Sequence, residues 1–309
     1  MLFRSEAGGC GWLVVLRKAG AKADVRVAAA EPPAVIRTRA AAAGPPRCVS
    51  TSLSRMTGRD AESIHAGYPR WQGVAPLPPE GLMWAAGAPS VENFLVVADA
   101  WAQIVRTHLP SGGVLLDAGC GCGRLARAFA ADATLGGYIG FDCMAASIAW
   151  CERYLAPEFT VNRCEFHHID AWSSEYNPNG ARKTVDVMIP CGDDTVDVVV
   201  ASSFFTHLLE DDAVHFLSEI ARVLRPSGTA LISVRAMDDP STPYMGNEVC
   251  IDVDKDYFLR MAKDEGLECH DEMADFVGET LLVMRPAVRP PLVAPHGQDI
   301  YHAAARKRG

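Results

Sequence analysis

Residues 115–126 read LLDAGCGCGRLA, from Leu115 to Ala126, and three glycines (Gly119, Gly121, Gly123) alternate there with two cysteines. The cysteines invite a metal or redox reading, but an i, i+2 pair in a turn lacks the two-to-four residue spacing of zinc ligands, and the chain holds no CxxC. The glycines carry more meaning, because an apolar run precedes them and a helical pattern follows. A strand, a glycine turn and a helix in succession place the loop at the carboxyl edge of a parallel sheet. There the exposed amides of a helix N-terminus meet ligands, and glycine lets the backbone take φ > 0 and lets a ligand come close. The dinucleotide fingerprint G-x-G-x-x-G fails: counted from Gly119, its third glycine falls on Arg124. The pattern is D-x-G-x-G-x-G, with Asp117 the last polar residue of the strand.

Outward from the loop, strand and helix patterns alternate. Ser90 is positioned to cap a helix over 91–109, ended by Pro110 and Gly112. Strands are predicted at 114–118, 137–141, 165–169, 196–201, 229–234 and 280–284, and helices at 124–131, 145–155, 212–224 and 256–265. That alternation implies one α/β domain over 68–286, with a mainly parallel sheet covered on both faces. A loop of about 25 residues after the third strand, containing YNPNG (Tyr176–Gly180), is long enough to suggest a functional segment.

Residues 1–67 are rich in Ala, Arg, Pro and Gly and read as a low-complexity basic leader, either an organellar targeting segment or disordered chain. Residues 287–309 read as a Pro-rich basic tail. The net charge of −9 is unevenly spread: residues 1–70 carry +6, 285–309 carry +4, and the body between them −19. An acidic body repels a phosphate backbone, so nucleic acid is not the expected partner. No apolar run approaches the ~20 residues of a membrane span. Of ten scattered cysteines, most read as buried thiols of a reducing compartment, the cytoplasm. Oligomeric state has no signal here.

The D-x-G-x-G-x-G loop resembles motif I of the class I S-adenosylmethionine (SAM)-dependent methyltransferases, and the rest of that signature follows in order. YIGFDCM ends a second strand on Asp142, FHHIDAW ends a third on Asp170, and EIARVLRPSGTALIS resembles the helix, turn and fifth strand of these enzymes. GCGCGR, YNPNG and SSFFTHL together look like a bacterial small-molecule or sugar-type subgroup, although GETLLV near the end stands where a Gln-Asp dipeptide is commoner. The resemblance implies a three-layer αβα Rossmann-like sandwich whose sheet has seven strands, the last antiparallel. It implies SAM as cofactor, held by Asp117, Ala118, Gly119, Cys120, Gly121, Gly123 and Arg124 of the loop. Asp142, Cys143 and Met144 would hold the ribose, and Asp170 and Ala171 the adenine, with Ser202 at the fourth strand.

Asp142 suits the ribose because a carboxylate can accept from two hydroxyls at once. Asp170 has a rival role in a polar network with His167 and His168. No Asn-Pro-Pro-Tyr or Asp-Pro-Pro-Tyr follows the fourth strand, which weighs against amino methylation of adenine bases or glutamine side chains. The expected reaction is methyl transfer to a small-molecule acceptor, at a hydroxyl oxygen, possible sugar or glycolipid hydroxyls included. His207 is the candidate base, or else a helix cap. Glu210, Asp211 and Asp212 read as a helix N-terminus rather than a metal site, and no metal is expected. Met83 and Trp84 form a candidate lid, and Tyr244 and Met245 a candidate acceptor wall. Two rival classes stay open: a dinucleotide-dependent oxidoreductase and a non-catalytic SAM-binding protein.

Overall fold

The computed structural model describes residues 70–71, 75–160, 163–238 and 241–287; the expected leader, and all of the expected tail but residue 287, lie outside them. The central strands are β1 (Gly113–Ala118), β2 (Leu135–Asp142), β3 (Arg163–His168), β4 (Val196–Ala201) and β5 (Leu224–Val234). A small ladder of β6 (Ala236–Met237), β7 (Tyr244–Asn247) and β8 (Cys250–Asp254) comes next. The chain then returns to the main sheet as β9 (Leu267–Phe276) and β10 (Glu279–Pro286). The seven-stranded order is β9-β10-β5-β4-β1-β2-β3. Only β10 runs against its neighbours, pairing antiparallel with both β5 and β9.

Helices α1 (Glu80–Ala85), α2 (Val91–His108), α3 (Arg124–Phe129), α4 (Ala145–Trp150), α5 (Glu210–Val223) and α6 (Lys255–Asp264) complete the layers. Strand periodicity explains them. Leu115, Val198 and Val200 face one way, into a core with Phe94, Trp101 and Phe129 of α2 and α3. Leu116, Val199 and Ala201 face the other way, against Phe216 of α5 and Phe258 of α6. The result is the αβα sandwich, Rossmann-like in its winding. Its strand order reverses between β1 and β4, where the crevice of such sheets opens.

Ser90 caps its helix as expected, accepting from the Asn93 amide at 3.1 Å, and Asp254 caps α6, accepting from the Tyr257 amide at 2.9 Å. The sheet departs from expectation in two places. β9 has no apolar face, since Glu268–Asp275 are all exposed, and its charges protect the edge of the sheet rather than mark a strand. In β5, Leu224 pairs with Val196 but Thr229 with Val198, so the residues between, with Pro226 and Gly228, bulge out of register.

Candidate functional site

The loop after β1 owes its shape to two packing constraints. Gly123 has φ +78°, and a Cβ there would sit 2.2 Å from Leu155 Cδ1. At Gly119, φ +68°, a Cβ would meet the Phe204 ring at 2.7 Å. Gly123 thus lets α3 pack close, and Gly119 lets the β4 edge close over the loop. The loop is then tied to the end of β2. Asp142 accepts from the Gly121 amide at 2.8 Å and, through its other oxygen, from the Met144 amide at 2.7 Å. Burial pushes the Asp142 carboxyl up, and these amides oppose that by favouring the anion.

Asp117 lies beneath the loop, 4% exposed, and accepts from the Tyr138 hydroxyl. Burial raises its carboxyl to about 7, although the Tyr138 hydroxyl and the Arg124 charge both pull it down. The Arg124 guanidinium donates to the Ala86 carbonyl and lies 5.8 Å from the centre of the Phe94 ring. Burial pushes the Cys122 thiol up to about 12 and the Cys120 thiol well above its usual value, which disfavours the thiolate at both. They fill space under the loop.

Above the loop opens a cavity of about 440 Å³, within the usual range of small-molecule sites. Among the predicted cofactor residues, all but Ala118, Gly123 and Asp170 line it. Ala118 is interior strand and Gly123 faces Leu155. Asp170 instead accepts from the Asn177 side chain at 3.2 Å, while Asn177 also donates to the Ala171 carbonyl at 2.9 Å. Its carboxylate orders the YNPNG turn, and its neighbours Ile169 and Ala171 reach the cavity in its place. His167 and His168 are spent separately, on Glu165 and on the Cys143 carbonyl.

His207 lines the opposite wall, in a single 3₁₀ turn after β4. Its Nδ1 is 2.9 Å from the Glu248 carbonyl and its Nε2 is 3.1 Å from the Tyr176 hydroxyl. A carbonyl only accepts, so Nδ1 carries the proton and Nε2 is left as acceptor. Burial pushes the Tyr176 phenol far up, so it stays a hydroxyl and donates to Nε2. Ser174 donates to the Glu248 carboxylate at 2.7 Å, tying the long loop to the turn between β7 and β8.

Residues 116–232 match the family described as the methyltransferase domain. The matched stretch runs from β1 into β5 and includes the glycine loop, Asp142 and His207. Three solved structures resemble the chain more loosely. A TehB-like SAM-dependent methyltransferase from Corynebacterium glutamicum is 20% identical, over 66% of this chain and 92% of its own, with TM-score 0.44. A SAM-dependent methyltransferase from Leishmania major is 14% identical, over 67% and 78%, with TM-score 0.49. The Burkholderia thailandensis 1,6-didemethyltoxoflavin-N1-methyltransferase, solved with 1,6-didemethyltoxoflavin and S-adenosylhomocysteine bound, is 18% identical, over 69% and 92%, with TM-score 0.48. At these scores the strand order, not the likeness, establishes the fold.

Several expected contacts move. Met83 is buried and Trp84 is 58% exposed, and neither lines the cavity; Ala85, Ala86 and Gly87 at the end of α1 do so instead. Tyr244 donates to the Leu208 carbonyl at 2.8 Å and Met245 is exposed, so neither forms the wall. Glu210 accepts from the Tyr257 hydroxyl, and no metal-ligand cluster occurs among the described residues. None of their helices is long and apolar enough to cross a membrane. Two wall residues, Trp101 and Glu248, had no sequence signal as site residues, while Tyr176 and Glu279 were marked only by the motif YNPNG and by the departure at GETLLV.

Proposed function

We propose that this chain is a SAM-dependent methyltransferase acting on a hydroxyl oxygen of a small molecule. The observation that carries the reading is the pinning of the Gly121 and Met144 amides to Asp142 at the carboxyl edge of the sheet, beside the loop that follows β1. This places a carboxylate and a glycine loop side by side on one cavity wall. The fit to the cofactor rests on that cradle: Gly119 and Gly121 leave room for close approach, Asp142 has lone pairs left for ribose hydroxyls, and Arg124 offers a guanidinium for a carboxylate. Arg124 in place of a third glycine argues against a dinucleotide. When bound, the sulfonium supplies a methyl group on a good leaving group.

The chain positions and deprotonates the acceptor. Glu248 holds the His207 ring so that the Nε2 lone pair faces the cavity through the Tyr176 hydroxyl. An acceptor hydroxyl gives its proton to Nε2, directly or by way of Tyr176. The acidic body and the cavity's size support a small acceptor. The unpaired state of all eight described cysteines supports a cytoplasmic setting.

Calorimetry tests the reading. S-adenosylhomocysteine should bind at micromolar concentration and NAD should not. Asp142→Ala should weaken binding by about 100-fold, the scale of two lost charge-assisted hydrogen bonds. Undiminished binding in that variant overturns the site. With binding intact, the absence of any labelled product from labelled SAM and a cell extract would mark a non-catalytic binder instead.

A further inference from the structure

The turn between β7 and β8 consists of Glu248 and Val249, bounded by the pair Asn247 and Cys250, and both turn residues line the cavity. Two-residue hairpins favour turns whose first central residue has positive φ, because those match the twist of the strands. Neither Glu248 nor Val249 has a positive φ, so contacts around this turn decide its shape. The peptide unit joining the two residues is held at both ends. Its carbonyl, that of Glu248, accepts from His207 Nδ1 at 2.9 Å. Its N–H, that of Val249, donates to the Asn247 side-chain oxygen at 3.0 Å. The Glu248 carboxylate accepts from the Ser174 hydroxyl at 2.7 Å, which moors the turn to the long loop. Two residues on, that loop supplies Tyr176, whose hydroxyl meets the other ring nitrogen of His207 at 3.1 Å. The imidazole is thus gripped from two segments that also grip each other.

The peptide has two settings, and they give His207 opposite chemistry. As it stands, the carbonyl requires a proton on Nδ1 and leaves Nε2 as an acceptor. A half turn of the peptide would aim the Val249 N–H at Nδ1, which would then have to accept. The one proton of the neutral ring would move to Nε2, and Nε2 could take none from an acceptor hydroxyl. Val249 opposes that half turn. Flipping the central peptide of such a turn drives the second central residue to positive φ, which a β-branched side chain resists. Asn247 and Ser174 add hydrogen bonds that favour the same setting.

We propose that the Glu248–Val249 peptide is the element that sets the tautomer of His207, with Val249 and Ser174 as its positioning residues. The inference deepens the methyltransferase reading and rests on it for the role of His207 as base, while the tautomer itself is measured with neither cofactor nor acceptor present. The full chain labelled with ¹⁵N at its nine histidines shows the His207 ring as the signals lost in His207→Gln. At a pH where the ring is neutral, nitrogen–proton correlation should find the proton on Nδ1. Val249→Gly removes no hydrogen bond but permits positive φ, and should lower the ratio of Nδ1–H to Nε2–H about tenfold. Ser174→Ala, at an exposed position, should lower it about fivefold, the scale of one net hydrogen bond. Ser174→Thr, which keeps the hydroxyl, should restore it. The proposal is overturned if His207 carries its proton on Nε2 in the wild type, or if either Val249→Gly or Ser174→Ala leaves the ratio unchanged. Wild-type affinity for S-adenosylhomocysteine, measured on the same sample, judges the cofactor reading separately.

Discussion

The two walls of the cavity are built in opposite ways. The loop wall comes from neighbours in sequence, residues 117–124 and 142–144, and backbone amides hold it together. The opposite wall comes from Trp101, Tyr176, His207, Glu248 and Glu279, which belong to separate segments; Tyr176 meets His207 through its side chain, and His207 in turn meets the Glu248 carbonyl. The first wall is set by conformation, so its residue types are constrained within a dozen positions. The second depends on how distant loops come to rest, so its chemistry can change while the fold stays constant.

The loop wall should therefore fail abruptly, and its largest response should be to pH. Asp117 is raised from its ordinary value to about 7 when folded. Between those limits the folded chain holds a proton that the unfolded chain releases. The group's stabilising contribution is therefore complete at acid pH, falls as pH rises toward 7, and is constant above it. Over about three pH units the change is bounded by roughly 4 kcal/mol. Asp117→Asn keeps an acceptor for Tyr138 and removes the titration. Urea unfolding should find the variant gaining on the wild type from pH 5 to pH 8; equal pH slopes would place the proton elsewhere.

The next effect is steric. Gly123→Ala adds a Cβ at 2.2 Å from Leu155 Cδ1 and imposes φ +78° on an L-residue. The left-handed conformation and the overpacking together should cost about 3 kcal/mol, seen as a lower melting temperature. A melting temperature within one degree of wild type would mean that α3 and Leu155 yield easily, and that the loop wall is less rigid than its neighbour.

The contrast between the walls also explains what the sequence made legible. The central strands and the capped helices were readable because burial on both faces leaves unbroken apolar runs, and because Ser90 and the glycine turn are local signals. β9 was not, since an exposed edge strand needs only backbone pairing and carries charges like any loop. The ladder of β6, β7 and β8 is short and partly exposed, so it too lacked a pattern. Asp142 was legible from its place after a strand. Asp170 shares that place after a strand, but the Asn177 side chain that donates to its carboxylate lies seven residues on, in a turn whose position the sequence does not show. His207 was legible as a polar residue at a strand end, but its tautomer depends on Glu248, 41 residues away. Glu279 was visible only as a departure from a familiar pattern.

The smallest effect probes the joint that fixes the opposite wall. Ser203 has both strain and a hydrogen bond: its φ of 52° disfavours any residue but glycine, and its hydroxyl donates to Glu279. Ser203→Ala keeps the strain and loses the bond to a charged acceptor, so it should destabilise by about 1–2 kcal/mol. Ser203→Gly loses the same bond but relieves the strain, and should recover about 1 kcal/mol of that loss. The two variants therefore differ by the backbone term alone, and chemical denaturation resolves it. If glycine proves no better than alanine, the left-handed turn at Ser203 is not maintained in solution. The carboxylate would then be free to turn with it, and this wall would be even more adaptable than its scattered origins imply.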